Sequence, residues 1–112
     1  MALPHAQAFD RIDLRPLGDG LAAAITTSLI KTPSLQLMRI VLHDGDALPS
    51  HHVSGEITLQ CIEGRAAVTT PGRRIELGAG DLLLLPGAEP HAVQALGDCS
   101  LLVTISLLMP PP

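Results

Sequence analysis

From Leu35 onward the chain is a series of short apolar or alternating runs: LQLMRIVLH, EITLQCI, RAAVTT, RRIEL, DLLLLP, HAVQAL and CSLLVTISLL. Their period is close to two, which places successive side chains on opposite faces of a strand. Clusters of Gly, Pro and Asp separate the runs: PLGDG, HDGD, EG, PGR, GAGD, PGAEP and LGD. Gly supplies positive φ and Asp a local hydrogen bond, so each cluster is a turn. No window of eleven or more residues combines helical periodicity with caps. Short strands separated by turns at intervals of about 8 to 12 residues predict an all-β sandwich or barrel.

Two runs say more than their period. In EITLQCI, Ile57, Leu59 and Cys61 share one face while Glu56, Thr58, Gln60 and Ile62 share the other. The run Leu82–Leu85 is apolar on both faces. Such a strand needs cover on both sides, from the opposite sheet and from either a neighbouring subunit or the chain's own N-terminal segment, which favours a homodimer.

The bulk composition narrows the function classes. With 112 residues the chain suits one domain, spanning 1–112, and 46% hydrophobic against 16% charged residues suits a packed core. The net charge is −4 and only Arg73 and Arg74 are adjacent basic residues, so nothing is arranged to hold a phosphate backbone. Phe9 is the sole aromatic, so a stacking platform for a nucleobase is lacking, and neither nucleotide nor flavin is expected as a cofactor. The stretch LAAAITTSLI is too short for a membrane span and lacks the basic flank of a signal peptide, which makes a cytoplasmic location the expectation. In that setting Cys61 and Cys99 are expected as reduced thiols. Pro110, Pro111 and Pro112 cannot join a central sheet and read as a frayed tail.

The candidate chemistry centres on PSHHVSGE, residues 49–56, where His51 and His52 precede Glu56, and on His91 in GDLLLLPGAEPHAVQA. These two stretches resemble the paired motifs of the cupins, RmlC-like jelly-roll barrels also described as a double-stranded β-helix. The first family motif reads G-x5-H-x-H-x3-4-E-x6-G, and Gly45, His51 and Gly64 match it. The second reads G-x5-P-x-G-x2-H-x3-N, and Gly80, Pro86 and His91 match it. The resemblance covers residues 35–107 and implies the jelly-roll fold, a small-molecule ligand, and in many members a divalent transition metal such as iron, manganese, nickel or zinc. It allows oxidation by dioxygen, isomerisation or decarboxylation, without choosing among them.

The ligand positions are where this chain departs from the pattern. Counted from His51 and Gly64, Val53 stands for the second histidine and Ile57 for the glutamate, while Ala88 and Ala95 replace a glycine and the asparagine of the second motif. In that register the pocket wall is Ile57, Leu59 and Cys61. A register shifted by one residue instead makes His52, Glu56 and His91 the metal ligands, with His51 nearby and Gln60 lining the pocket. Adjacent strand residues point to opposite faces, so His51 and His52 converge only across a bulge or turn. The unshifted register needs no gap and is favoured. Three readings stay open: a metal-dependent enzyme, a metal-free barrel that binds a small apolar or acidic molecule, and a scaffold with no ligand. Cys61 as a redox or nucleophilic residue is a minor addition, since nothing in the sequence lowers its pKa except a histidine brought near it.

Overall fold

A computed structural model describes residues 5–108, and the proline tail lies outside them. Nine strands follow a short 3-10 turn at Gly18–Ala23: β1 (Thr27–Lys31), β2 (Leu35–Leu42), β3 (Ala47–His51), β4 (Ile57–Glu63), β5 (Arg65–Thr70), β6 (Arg73–Gly78), β7 (Leu82–Leu85), β8 (His91–Ala95) and β9 (Cys99–Ser106). They form a five-stranded sheet in the order β1-β2-β9-β4-β7 and a four-stranded sheet in the order β3-β8-β5-β6. Every pairing is antiparallel, and the crossovers make the expected all-β jelly roll. Among the described residues no helix is long and apolar enough to cross a membrane.

The core lies between the two sheets. Ile57, Leu59 and Cys61 of β4 and Leu101 and Val103 of β9 face Val68, Leu77, Val93 and Ala95 of the other sheet, all nearly sealed from solvent. Thr58 and Gln60 face the other way, so the period-two reading of EITLQCI holds.

The register slips by one residue in three places: between Ser28 and Ile30 of β1 at the sheet edge, and in β3 and β4, where it bears on the site. In β3, Leu48 pairs with Val93 and His51 with His91, so three residues on one strand span two on the other. This bulge takes in Pro49, which an edge strand tolerates because its N–H is not needed by a second neighbour. In β4, Cys61 pairs with Leu101 but Glu63 pairs with Ser100. The slip carries Glu63 to the outer face of the five-stranded sheet.

There Glu63 anchors the N-terminal segment. Its carboxylate accepts hydrogen bonds from the backbone N–H groups of Leu17 and Gly18 at 2.9 and 3.1 Å, and from the hydroxyl of buried Ser100 at 2.6 Å. Arg39, also buried, donates to the carbonyl of Arg15 at 2.9 Å. The segment thus crosses the outer face near Arg39 and Ser100. Among the described residues nothing covers the far edge: Leu83 and Leu85 of β7 point into the barrel, but Leu82 and Leu84 point out and are 65% and 59% exposed.

Candidate functional site

One end of the barrel carries polar side chains on an otherwise apolar inner face. His51 closes β3 and His91 opens β8, and the two are direct cross-strand partners. Their ring centroids lie 4.5 Å apart with planes tilted by 54°. His91 is buried at 3% exposure, while His51 stands at the rim.

Each ring is held the same way. Nδ1 of His51 lies 3.1 Å from the carbonyl oxygen of Pro49, and Nδ1 of His91 lies 3.0 Å from that of Glu89. A carbonyl only accepts, so the proton sits on Nδ1, and the neutral ring then carries its lone pair on Nε2. This tautomer suits a histidine that accepts a ligand's proton donor or binds a metal ion through Nε2.

The sheet register extends the row. Thr69 pairs with Ala92, which sets Thr70 beside His91, and Thr70 pairs with Arg73 across the β5–β6 hairpin. The polar rung is therefore His51, His91, Thr70 and Arg73. The rung beneath it is wholly apolar, with Leu48, Val93, Val68 and Ile75. On the opposing sheet the matching rung is Ile105, Ile57 and Leu85.

Beside His91, between the edge strands β6 and β7, lies a cavity of about 300 Å³ lined by Thr70, Arg73, Ile75, Leu83, Leu85 and Glu89 among others. Arg74 and Arg65 both pair with Glu76 on the outer face of β6. Arg73 shares the inward parity of Ile75 and Leu77. Neither Thr70 nor Arg73 was expected. Their signal was the two-residue Pro71-Gly72 turn, which forces the residues on either side to pair, and the inward alternation of Leu77 and Ile75 continues to Arg73.

The remaining sequence candidates fall as follows. His52 and Glu56 are exposed, in the segment between β3 and β4. Val53 packs on the core, and Ile57 is buried at 4% exposure on the inner face, at the place where the family pattern has its glutamate. Gln60 is exposed on the face opposite Ile57, Leu59 and Cys61. Leu59 and Cys61 lie deeper, with Cys61 about 13 Å along β4 from Ile57 at the usual rise per residue. Cys61 and Cys99 are free and buried. Burial, then the nearby Asp81 charge, pushes the Cys61 thiol up, and burial followed by the Cys61 neighbour pushes Cys99 up to about 11. A thiol in that state is a poor nucleophile.

Whether this donor set suits a metal ion follows from the same placements. Two imidazole rings lie side by side with Nδ1 of each engaged by a backbone carbonyl, but among the described residues no three His, Cys, Asp or Glu side chains come together as a ligand group. The residues supply half of a transition-metal site and do not close one.

The loop geometry is tied to the second motif. Gly87 runs so close to the Ser54 carbonyl oxygen that a Cβ there would lie 2.5 Å from it, and the Ala88 N–H donates to the Val53 carbonyl at 2.8 Å. Ala88, at the place of a motif glycine, keeps the left-handed backbone with φ of 64°.

No curated protein sequence matches the chain significantly. Solved structures do match in fold. A cupin superfamily protein of Desulfitobacterium hafniense superposes with a TM-score of 0.76 at 19% identity, over 92% of this chain and 100% of the other. A conserved protein of unknown function from Streptococcus pyogenes gives 0.74 at 17% identity, over 100% and 97%. KdgF from Halomonas sp. gives 0.66 at 21% identity, over 74% and 77%. The family described as the cupin domain matches residues 38–105, which include both histidines, the Thr70–Arg73 hairpin and seven of the nine strands nearly or wholly. The chain belongs to the cupin family.

Proposed function

We propose that the open end of this barrel binds a small organic molecule, with Nε2 of His51 and Nε2 of His91 as its polar anchors. The observation that carries the reading is the matched pair of rings, 4.5 Å apart and each locked through Nδ1 to a backbone carbonyl. A few polar groups on an apolar wall at the mouth of a barrel are the usual form of a small-molecule site. The two lone pairs accept hydrogen bonds from a hydroxyl, amide or ammonium group of the ligand.

The same lone pairs favour a second reading, in which His51 and His91 would hold a divalent ion such as iron, manganese, nickel or zinc, and the ion would supply Lewis-acid or redox chemistry to the bound molecule. Ile57 at the carboxylate position and the exposed placement of His52 and Glu56 make that ion weakly held. We further propose that the protein works as a homodimer through the outer face of the five-stranded sheet. Leu82 and Leu84 there continue into an uncharged surface of Gln60, Thr58, Leu102 and Thr104.

Elemental analysis of untagged protein, as purified and after reconstitution with each metal, beside a His91→Ala control, separates the two readings. Metal at or below the control level in every sample supports the metal-free site. Near-stoichiometric metal that the control loses would replace it with the metal-dependent one, to be followed by oxygen uptake with small carbonyl acids.

A further inference from the structure

Resting on the reading of the open end as a small-molecule site, the geometry points to the class of molecule: we propose that it takes an aliphatic amino acid or a zwitterion of like size, carboxylate on Arg73 and ammonium on Glu89. Both side chains line the cavity beside His91. They carry opposite charges, and among the described residues neither belongs to an ion pair, whereas the other two arginines of that hairpin, Arg65 and Arg74, are both engaged by Glu76. Two unpaired charges of opposite sign on one cavity wall call for a ligand that carries both.

The alternatives meet specific costs. A plain carboxylic acid satisfies Arg73 but sets its charge against Glu89. A plain amine does the reverse at Arg73. A phosphate ester brings two negative charges to a cavity whose net charged lining is zero, and a sugar or nucleobase finds no aromatic wall, since Phe9 is the sole aromatic and lies far along the chain on the exposed N-terminal segment.

The rest of the lining agrees with an aliphatic body. Ile75, Leu83 and Leu85 form the inner wall, and Thr70, buried at 8% exposure, turns its hydroxyl-bearing side chain to the same space. A volume of about 300 Å³ corresponds to about ten waters. That is room for a ligand of about nine non-hydrogen atoms, such as leucine.

The test is titration of the full chain, stripped of metal by chelator, with L-leucine, 4-methylpentanoate and 3-methylbutylamine, followed by calorimetry and by amide shifts. Leucine is expected to bind, and each analogue, lacking one charge, to bind about tenfold to a hundredfold more weakly. Arg73→Gln should bring leucine down to the amine's affinity. Glu89→Gln should bring it down to the acid's while leaving or improving the acid itself. Both variants change exposed or half-exposed side chains, and an unchanged melting temperature confirms their fold. Equal or tighter binding of 4-methylpentanoate overturns the proposal, as does leucine binding that Arg73→Gln leaves untouched. A panel of alcohols, amides and keto acids runs alongside. If one of these shifts the His51 and His91 signals while leucine is silent, the zwitterion inference falls and the small-molecule site stands. Silence from every compound overturns both.

Discussion

Replacing Glu63 with glutamine tests whether the N-terminal segment is held by a charge. The carboxylate accepts three hydrogen bonds, two from backbone N–H groups and one from the fully buried hydroxyl of Ser100. Leu17 and Ser100 bond to one oxygen and Gly18 to the other, so glutamine keeps the first two as neutral bonds and turns its NH₂ toward the Gly18 N–H. A hydrogen bond to a charged group contributes about 1.5–3 kcal/mol, against about 1 kcal/mol for a neutral one. A loss of about 1–3 kcal/mol at pH 7 is expected, or a fall of about 5–15 °C in melting temperature for a domain of this size. Burial alone would raise the Glu63 pKa. The donors Leu17, Ser100 and Gly18, helped by the Arg39 charge, outweigh it and hold the carboxyl below its ordinary value. Because the folded pKa is the lower one, this stabilisation is complete above the unfolded value of about 4.3 and is lost as the pH falls through the folded value. Urea denaturation of both proteins at pH 7 and near pH 3 therefore has a defined outcome: a clear gap in midpoint at pH 7 that narrows in acid. Hydrogen exchange at the Leu17 and Gly18 amides should quicken in the variant. A difference under about 0.5 kcal/mol at pH 7, or a gap that is the same at both pH values, would refute the anchoring argument.

Three further substitutions have outcomes set by the fold. Ala88→Gly should raise stability by about 0.5–1 kcal/mol, since the left-handed backbone costs an L-residue about 1–2 kcal/mol and glycine's extra unfolded freedom returns about 0.4–1; a lower melting temperature would show that Ala88 is unstrained. Leu84→Lys should convert a dimer into monomers on analytical ultracentrifugation with little change in fold, because the side chain is 59% exposed in the single chain; identical sedimentation would remove β7 from the interface. Ile57→Glu places a carboxylate at a core position of 4% exposure and should cost several kcal/mol without metal. If β4 faces the imidazole pair as the rungs imply, zinc should restore much of that loss in the variant and do little for the wild type, as read from melting temperatures with and without the ion.

The local pattern was enough for the strands and for which face of most of them is buried. Period-two alternation is a property of neighbouring residues, so Ile57, Leu59 and Cys61 could be set against Thr58 and Gln60 without knowing what lay across from them. The turn clusters bounded those strands, and the motif spacing anticipated that His51 and His91 would meet. The strand β1 was hidden inside LAAAITTSLI, whose composition has no clean alternation. Only the closed barrel decided the rest. One extra residue in β3 is what lets Leu48 and His51 share a face, and one slip in β4 is what sends Glu63 outward to Ser100 instead of inward after Cys61. A bulge inverts every side chain beyond it, yet it is set by the partner strand and leaves little trace in composition. The row His51, His91, Thr70 and Arg73 likewise joins four strands that are adjacent only after the jelly roll has formed. Periodicity is written residue by residue along the chain, while a binding site is written across it, in the register between strands that folding alone supplies.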